Sequence, residues 1–169
     1  FDLYAFIRKC LKLCGLWHRS VRNFLNIQVE RNEVQLANLP PEFDGFRILQ
    51  LTDLHADLHD GFIDAVAKCI DPLEYDLIVM TGDFRSLTFG DHTGATDAVI
   101  ALSESFKTES YSVLGNHDTV VKVPRLEAAG LRFLLNEHVV LRRGEAELYL
   151  VGIDDPNYYK THDFERALD

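Results

Sequence analysis

Three short apolar runs, each ending on residues able to bind a cation, constrain this chain more than any other feature. Residues 46–51 lead into Thr52-Asp53-Leu54-His55, Leu77–Met80 into Thr81-Gly82-Asp83, and residues 111–114 into Gly115-Asn116-His117-Asp118. Between them lie stretches with apolar residues at helical spacing, at 61–70 and at 95–107, where Ala95, Val99, Ile100, Leu102 and Phe106 recur. Strand-length runs alternating with helices predict an α/β fold, a parallel sheet covered by helices. Asp53 and Asp83 are 30 residues apart, and Asp83 and Asn116 are 33 apart, each about one βαβ unit. Right-handed crossovers keep successive strands parallel, so the three turns fall on one edge of the sheet. That carboxyl edge is where open α/β folds bind ligands.

The flanking segments are less regular. Residues 126–129 suggest a third helix, and runs at 132–135, 138–142 and 147–153 suggest strands split at Asn136-Glu137 and Gly144-Glu145. Upstream, residues 26–38 alternate Ile27, Val29, Val34 and Leu36 around Arg31-Asn32, which predicts a β-hairpin. Residues 1–25 read as one helix, with Leu3, Phe6, Ile7, Leu11, Leu13 and Trp17 among five basic residues, Arg8, Lys9, Lys12, Arg19 and Arg22. That segment carries a net charge of +4, so the rest of the chain carries −14 of the total −10. So acidic a body lacks the basic face that nucleic-acid binding requires, whereas a basic amphipathic segment suits an anionic membrane surface. No run approaches the roughly 18 apolar residues needed to span a bilayer. Three cysteines without a CxxC pair form no disulfide framework, and Cys10 and Cys14 read as packing residues. The chain opens at Phe1 with no signal-peptide layout, and a targeting segment upstream is one expectation.

The residue types at the strand ends narrow the chemistry. Carboxylates, an imidazole and an amide oxygen suit Mn, Fe, Zn or Co and not a soft thiolate site. Two carboxylates brought together repel unless cations lie between them. A carboxylate bridging two metals about 3.5–4 Å apart forms the clamp used in phosphoryl transfer. Alone, Asp53 is an ordinary turn residue, His55 a surface histidine and Gly82-Asp83 a common turn. In order and at this spacing, the three form a joint signal.

With Leu39-Pro40 and the run from Phe43 to His55 before these motifs, residues 26–155 resemble the calcineurin-like metallophosphoesterases. They are most similar to the bacterial membrane-associated branch. The resemblance implies an αββα sandwich with a di-metal site at the sheet edge, of which this chain would supply the N-terminal part. It implies that Asp53 and His55 bind the first of two divalent metal ions, that Asp83 bridges them and that Asn116 binds the second. His117 would stabilise the phosphoryl group or protonate the leaving oxygen, and Asp118 would orient His117. The reaction implied is hydrolysis of a phosphoester or pyrophosphate bond by a metal-bound hydroxide. The substrate would be a phosphorylated small molecule or a lipid-linked one, such as the pyrophosphate of UDP-2,3-diacylglucosamine. Residues 1–25 would then form a basic membrane-facing segment, and residues 26–169 the phosphoesterase domain, cytoplasmic or peripheral on the inner face of the membrane.

Two departures from the family pattern stand out. The family's later H-x-P and G-H-x-H histidines are missing, and His138 and His162 are expected in a strand and in a polar turn instead. This predicts a chain that stops before its last histidine motifs, short by about 80–120 residues. Arg85 and Ser86 follow Asp83 where many members carry an acidic residue, and Arg85 is a candidate phosphate donor. The alternative reading is a catalytically degenerate scaffold of the same fold that binds proteins. No G-x-S-x-G or G-x-x-x-x-G-K supports a serine hydrolase or an NTPase.

Overall fold

In the computed structural model, which describes residues 3–169, the central feature is a parallel sheet of four strands in the order β1-β2-β3-β4. These are β1 (Ile48–Leu51), β2 (Leu77–Met80), β3 (Ser110–Ser112) and β4 (Arg132–Phe133). Leu51 pairs with Met80, and Met80 with Ser112, so the strands end in register and release their turns side by side. The crossovers are α3 (Phe62–Ile70), α4 (Thr93–Ser103) and α5 (Val123–Ala128).

Alternation on β2 sorts the two faces, since successive strand side chains point opposite ways. Ile78 and Met80 pack into a core with Ile63, Val66 and Ile70 of α3, Val99 and Leu102 of α4, and Leu126 of α5. In α3 and α4 these residues recur three or four positions apart, giving one apolar stripe on each. Leu77 and Val79 face the other way, with Tyr111 and Leu134. Against them pack Val139 and Leu141 of β5 (Glu137–Arg143) and Leu150 of β6 (Ala146–Gly152), an antiparallel hairpin that turns at Gly144. The sheet is therefore covered by helices on one face and by a β-hairpin on the other, as the α/β expectation requires. A last helix, α6 (Phe164–Leu168), lies on the hairpin, its Ala167 carbonyl 2.9 Å from His138 Nδ1. His138 thus stands in a strand and His162 in the turn before α6, as expected.

Two upstream expectations fail. Residues 1 and 2 lie outside the described residues; the remainder of the first 25 form two helices, α1 (Leu3–Leu13) and α2 (Trp17–Leu25). The break is at Gly15, whose φ of +68° ends α1 in a Schellman turn, with Leu16 N donating to Leu11 O and Gly15 N to Lys12 O. Residues 26–36 form no strands. Ile27 packs against the core, but Val29, Val34 and Leu36 are exposed. A two-stranded ribbon with no third strand or helix against its apolar face is marginal in water.

Asp76 joins the sheet to the hairpin. Its Oδ2 accepts from Arg47 N at 2.8 Å, just before β1, and its Oδ1 accepts from Arg143 at the end of β5 at 2.6 Å. The Arg47 backbone bond and the Arg143 charge hold the Asp76 carboxyl below the usual carboxylate range. A depressed folded-state pKa contributes stability that is present above the unfolded value of about 4 and lost as pH falls through the folded one. Asp76→Asn is therefore expected to lower stability at neutral pH and to flatten its decline below about pH 4, as read from denaturant midpoints across pH.

Candidate metal centre

The turns that follow β1 and β2 are stitched together by backbone bonds. Asp53 N donates to Gly82 O, His55 N to Asp83 O and Ala56 N to Phe84 O, at 2.9–3.1 Å. Following this path requires left-handed backbone at Asp53 (φ +51°), His55 (φ +40°) and Asp83 (φ +54°). Only five non-glycine residues among those described adopt positive φ, and three of them are these. Such conformations cost of order 1–3 kcal/mol each and concentrate where a site needs its side chains held.

The turn after β3 closes on the same place. Gly82 (φ +89°) and Gly115 lie so close that a Cβ on Gly82 would meet the Gly115 nitrogen, and one on Gly115 would meet the Asp83 carboxylate. Both positions exclude every side chain. His117 N then donates to Asp83 Oδ1 at 2.9 Å, and the His117 ring stands edge-on to that of His55, 5.3 Å between centroids. Asn116 sits half-buried between Gly115 and His117.

The result is a compact donor set. One ligand atom from each of Asp53, His55 and Asp83 lies within 4.8 Å of the other two. One cation with bonds of about 2.0–2.2 Å to nitrogen and oxygen suits that span after small side-chain movements. His55 Nδ1 lies 2.8 Å from Arg85 O. A carbonyl only accepts, so Nδ1 carries a proton, and in a neutral imidazole that leaves the Nε2 lone pair for a metal. Two carboxylates with one neutral imidazole form a hard-to-borderline set suited to divalent first-row ions.

Two residues behave differently from the sequence-based expectation. Among the described residues no hydrogen bond joins the Asp118 carboxylate to the His117 ring. That carboxylate turns inward and accepts from Phe84 N (3.1 Å), Gly115 N (2.9 Å) and the buried Lys122 Nζ. The group beside the His117 ring is Thr88, whose Oγ1 is 3.3 Å from Nδ1. Arg85 is buried, with only 3% of its surface exposed. It donates to the carbonyls of His117 (2.5 Å), Gly90 (3.0 Å) and Thr88. A guanidinium spent on three carbonyls shapes the loop around His117 and is not a free phosphate donor. Asp57 adds another tie between the turns, accepting from Ser86 N at 2.8 Å and Ser86 Oγ at 3.0 Å.

Lys122 stands four residues after Asp118, a spacing that the sequence shows but that by itself carries no functional signal. Burial pushes its ammonium below the usual lysine range, and the Asp118 carboxylate pulls it partly back. Beside the His117 turn opens a cleft of about 520 Å³, lined in part by Thr88, Gly115, Leu135, Asp154 and Tyr159. Burial raises the Asp154 carboxyl above its usual range.

Comparison with known proteins bears on this geometry. A sequence model of the calcineurin-like phosphoesterase family matches residues 46–166, which contain all three strand-end turns and the hairpin. Two proteins of Bacillus subtilis (strain 168) are similar, the uncharacterized metallophosphoesterases YkoQ and YkuE. YkoQ is 27% identical over 147 residues, 82% of this chain and 54% of its own. YkuE is 27% identical over 152 residues, 80% of this chain and 52% of its own. The chain thus spans about half the length of the curated relatives it matches.

The buried position of Arg85 gives a direct test. Arg85→Lys keeps the charge but not the fork of donors. It is expected to cost about 2 kcal/mol of stability through unsatisfied carbonyls, measured by urea denaturation. An exposed phosphate-binding arginine would leave the midpoint unchanged.

Proposed function

The chain belongs to the calcineurin-like phosphoesterase family, and on that premise we propose that its strand-end turns form the metal site of a phosphoester or pyrophosphate hydrolase. Asp53, His55 and Asp83 would hold one divalent cation, and Asp83 with Asn116 would contribute to a second. The observation that carries this reading is the convergence of the Asp53, His55 and Asp83 donors within 4.8 Å, on three left-handed backbone positions. When bound, such cations supply Lewis acidity to a phosphoryl oxygen and a nucleophile at neutral pH.

The chain's own groups divide the remaining work. The Arg85 carbonyl holds the Nδ1 side of the His55 ring and so leaves Nε2 for the cation. His117, its backbone fixed to Asp83 and its ring beside that of His55, would donate a proton to the leaving oxygen. Arg85 and Thr88 hold the His117 backbone and ring from behind.

The substrate side of the proposal is a lipid-linked phosphate or pyrophosphate met at a membrane surface, with the protein peripheral on the inner face. The basic helices α1 and α2 support it, because they expose Ile7, Leu13 and Phe24, with Leu16 exposed between them. No helix among the described residues is long and apolar enough to cross a membrane, so contact would be with the interface. In sedimentation with vesicles containing phosphatidylglycerol, replacing Arg8, Lys9 and Lys12 by Ser is expected to weaken binding roughly 100-fold, at about 1 kcal/mol per charge. Equal sedimentation of both proteins would remove the membrane from the proposal.

The catalytic reading is tested with bis(p-nitrophenyl) phosphate and Mn2+. Turnover is expected to vanish with a chelator and to return with added metal. His117→Ala should lower kcat by about 10²–10⁴-fold with metal content retained, and Asp83→Ala should lose metal and turnover together. Well under one metal per chain in the unaltered protein would favour a scaffold over a hydrolase.

A further inference from the structure

Lys122 closes the short 3-10 turn Val120–Lys122 ahead of α5, and its side chain is 1% exposed. It points back beneath the turn after β3, to the Asp118 carboxylate, which is itself 0% exposed. The ammonium also lies 4.8 Å above the Phe84 ring, the residue that follows Asp83. Phe84 in turn packs edge-on against Phe133 of β4, so the pair sits between the sheet and the site.

The carboxylate oxygens divide between the two turns. Oδ1 accepts from Phe84 N, next to Asp83, and also from Lys122 Nζ; Oδ2 accepts from Gly115 N, next to Asn116. One buried anion therefore grips the backbone beside a residue of the metal triad and the backbone beside the candidate second-site ligand. An apolar pair of the same volume would pack as well or better, since desolvation often cancels the gain from a buried ion pair. What the charged pair adds is an acceptor with a fixed orientation facing two N–H groups on separate turns.

We propose that Lys122 is a positioning residue for the metal site: it orients Asp118, which locks the turns after β2 and β3 in the register that places Asn116 and His117 beside Asp83. This rests on the reading of Asp53, His55 and Asp83 as metal ligands. Lys122 touches neither metal nor substrate, and it acts through backbone that two side chains of the site share.

The test uses the full chain, Co2+ as the probe, and the visible absorption of the bound ion as the readout. Melting midpoints are measured in parallel on Lys122→Met and on the double variant Asp118→Asn with Lys122→Met. Lys122→Met leaves a buried carboxylate without its cation and is expected to lower both the midpoint and the Co2+ affinity, the latter at least tenfold. The double variant removes that lone charge, so its midpoint should recover substantially. Its Co2+ affinity should stay at least tenfold weak, because an amide faces the two N–H groups with only one acceptor atom. Affinity that recovers together with the midpoint, or that never falls, would make the pair merely structural and overturn the proposal. Absence of Co2+ absorption in the unaltered protein, or its persistence in Asp83→Ala, would overturn the metal reading itself and this proposal with it.

Discussion

Backbone contact between Gly82 and Gly115 is the constraint on which the site depends. Parallel strands in register deliver their ends side by side, but that alone leaves the turns free to splay. Here the two turns touch where no side chain fits, and only that approach lets His117 N reach Asp83 Oδ1. The same approach brings Gly115 N and Phe84 N to one carboxylate. Remove the contact and the residues after β3 part from those of β1 and β2, which their own backbone bonds still hold together.

Around that contact the electrostatics are arranged in layers. Facing outward are the Asp53 and Asp83 carboxylates with the His55 imidazole, a set that invites a cation. Beneath them are two buried cationic side chains, Arg85 and Lys122, both hydrogen-bonded to protein oxygens. Charges in this inner layer cannot reach a ligand, so their effect is to fix the backbone that carries the outer one. The strained φ values at Asp53, His55 and Asp83 persist because these inner bonds over-determine the turns.

Most of the sheet was legible from periodicity. β2 fell on the expected residues, and α3 and the hairpin within a residue or two, because each carries a clean apolar pattern and a glycine at or near its end. The upstream errors share a cause. Alternation around Arg31-Asn32 has the period of a strand, yet a strand exists only where another strand or a core receives it, and Val34 has neither. The first 25 residues carry helical periodicity throughout, and the left-handed backbone of Gly15 is what divides them into two helices.

The site divides along the same line. The sequence alone determined which residue types arrive at the sheet edge and in what order. Strand spacing and crossover handedness are local rules, and they carry Asp53, His55, Asp83, Asn116 and His117 to one place. It could not determine which way each side chain turns once there. The family resemblance aims Asp118 at His117, and its charge makes Arg85 a candidate phosphate donor. The tertiary structure turned both inward, where Asp118 accepts from the N–H groups of Phe84 and Gly115 and Arg85 donates to the carbonyls of His117 and Gly90. Lys122 was invisible for the converse reason: a lysine becomes a buried group only when a distant segment supplies both its counter-charge and its cover. Satisfying buried polar groups is a balance over the whole molecule, and so it was decided by the packed structure and not by the order of residues.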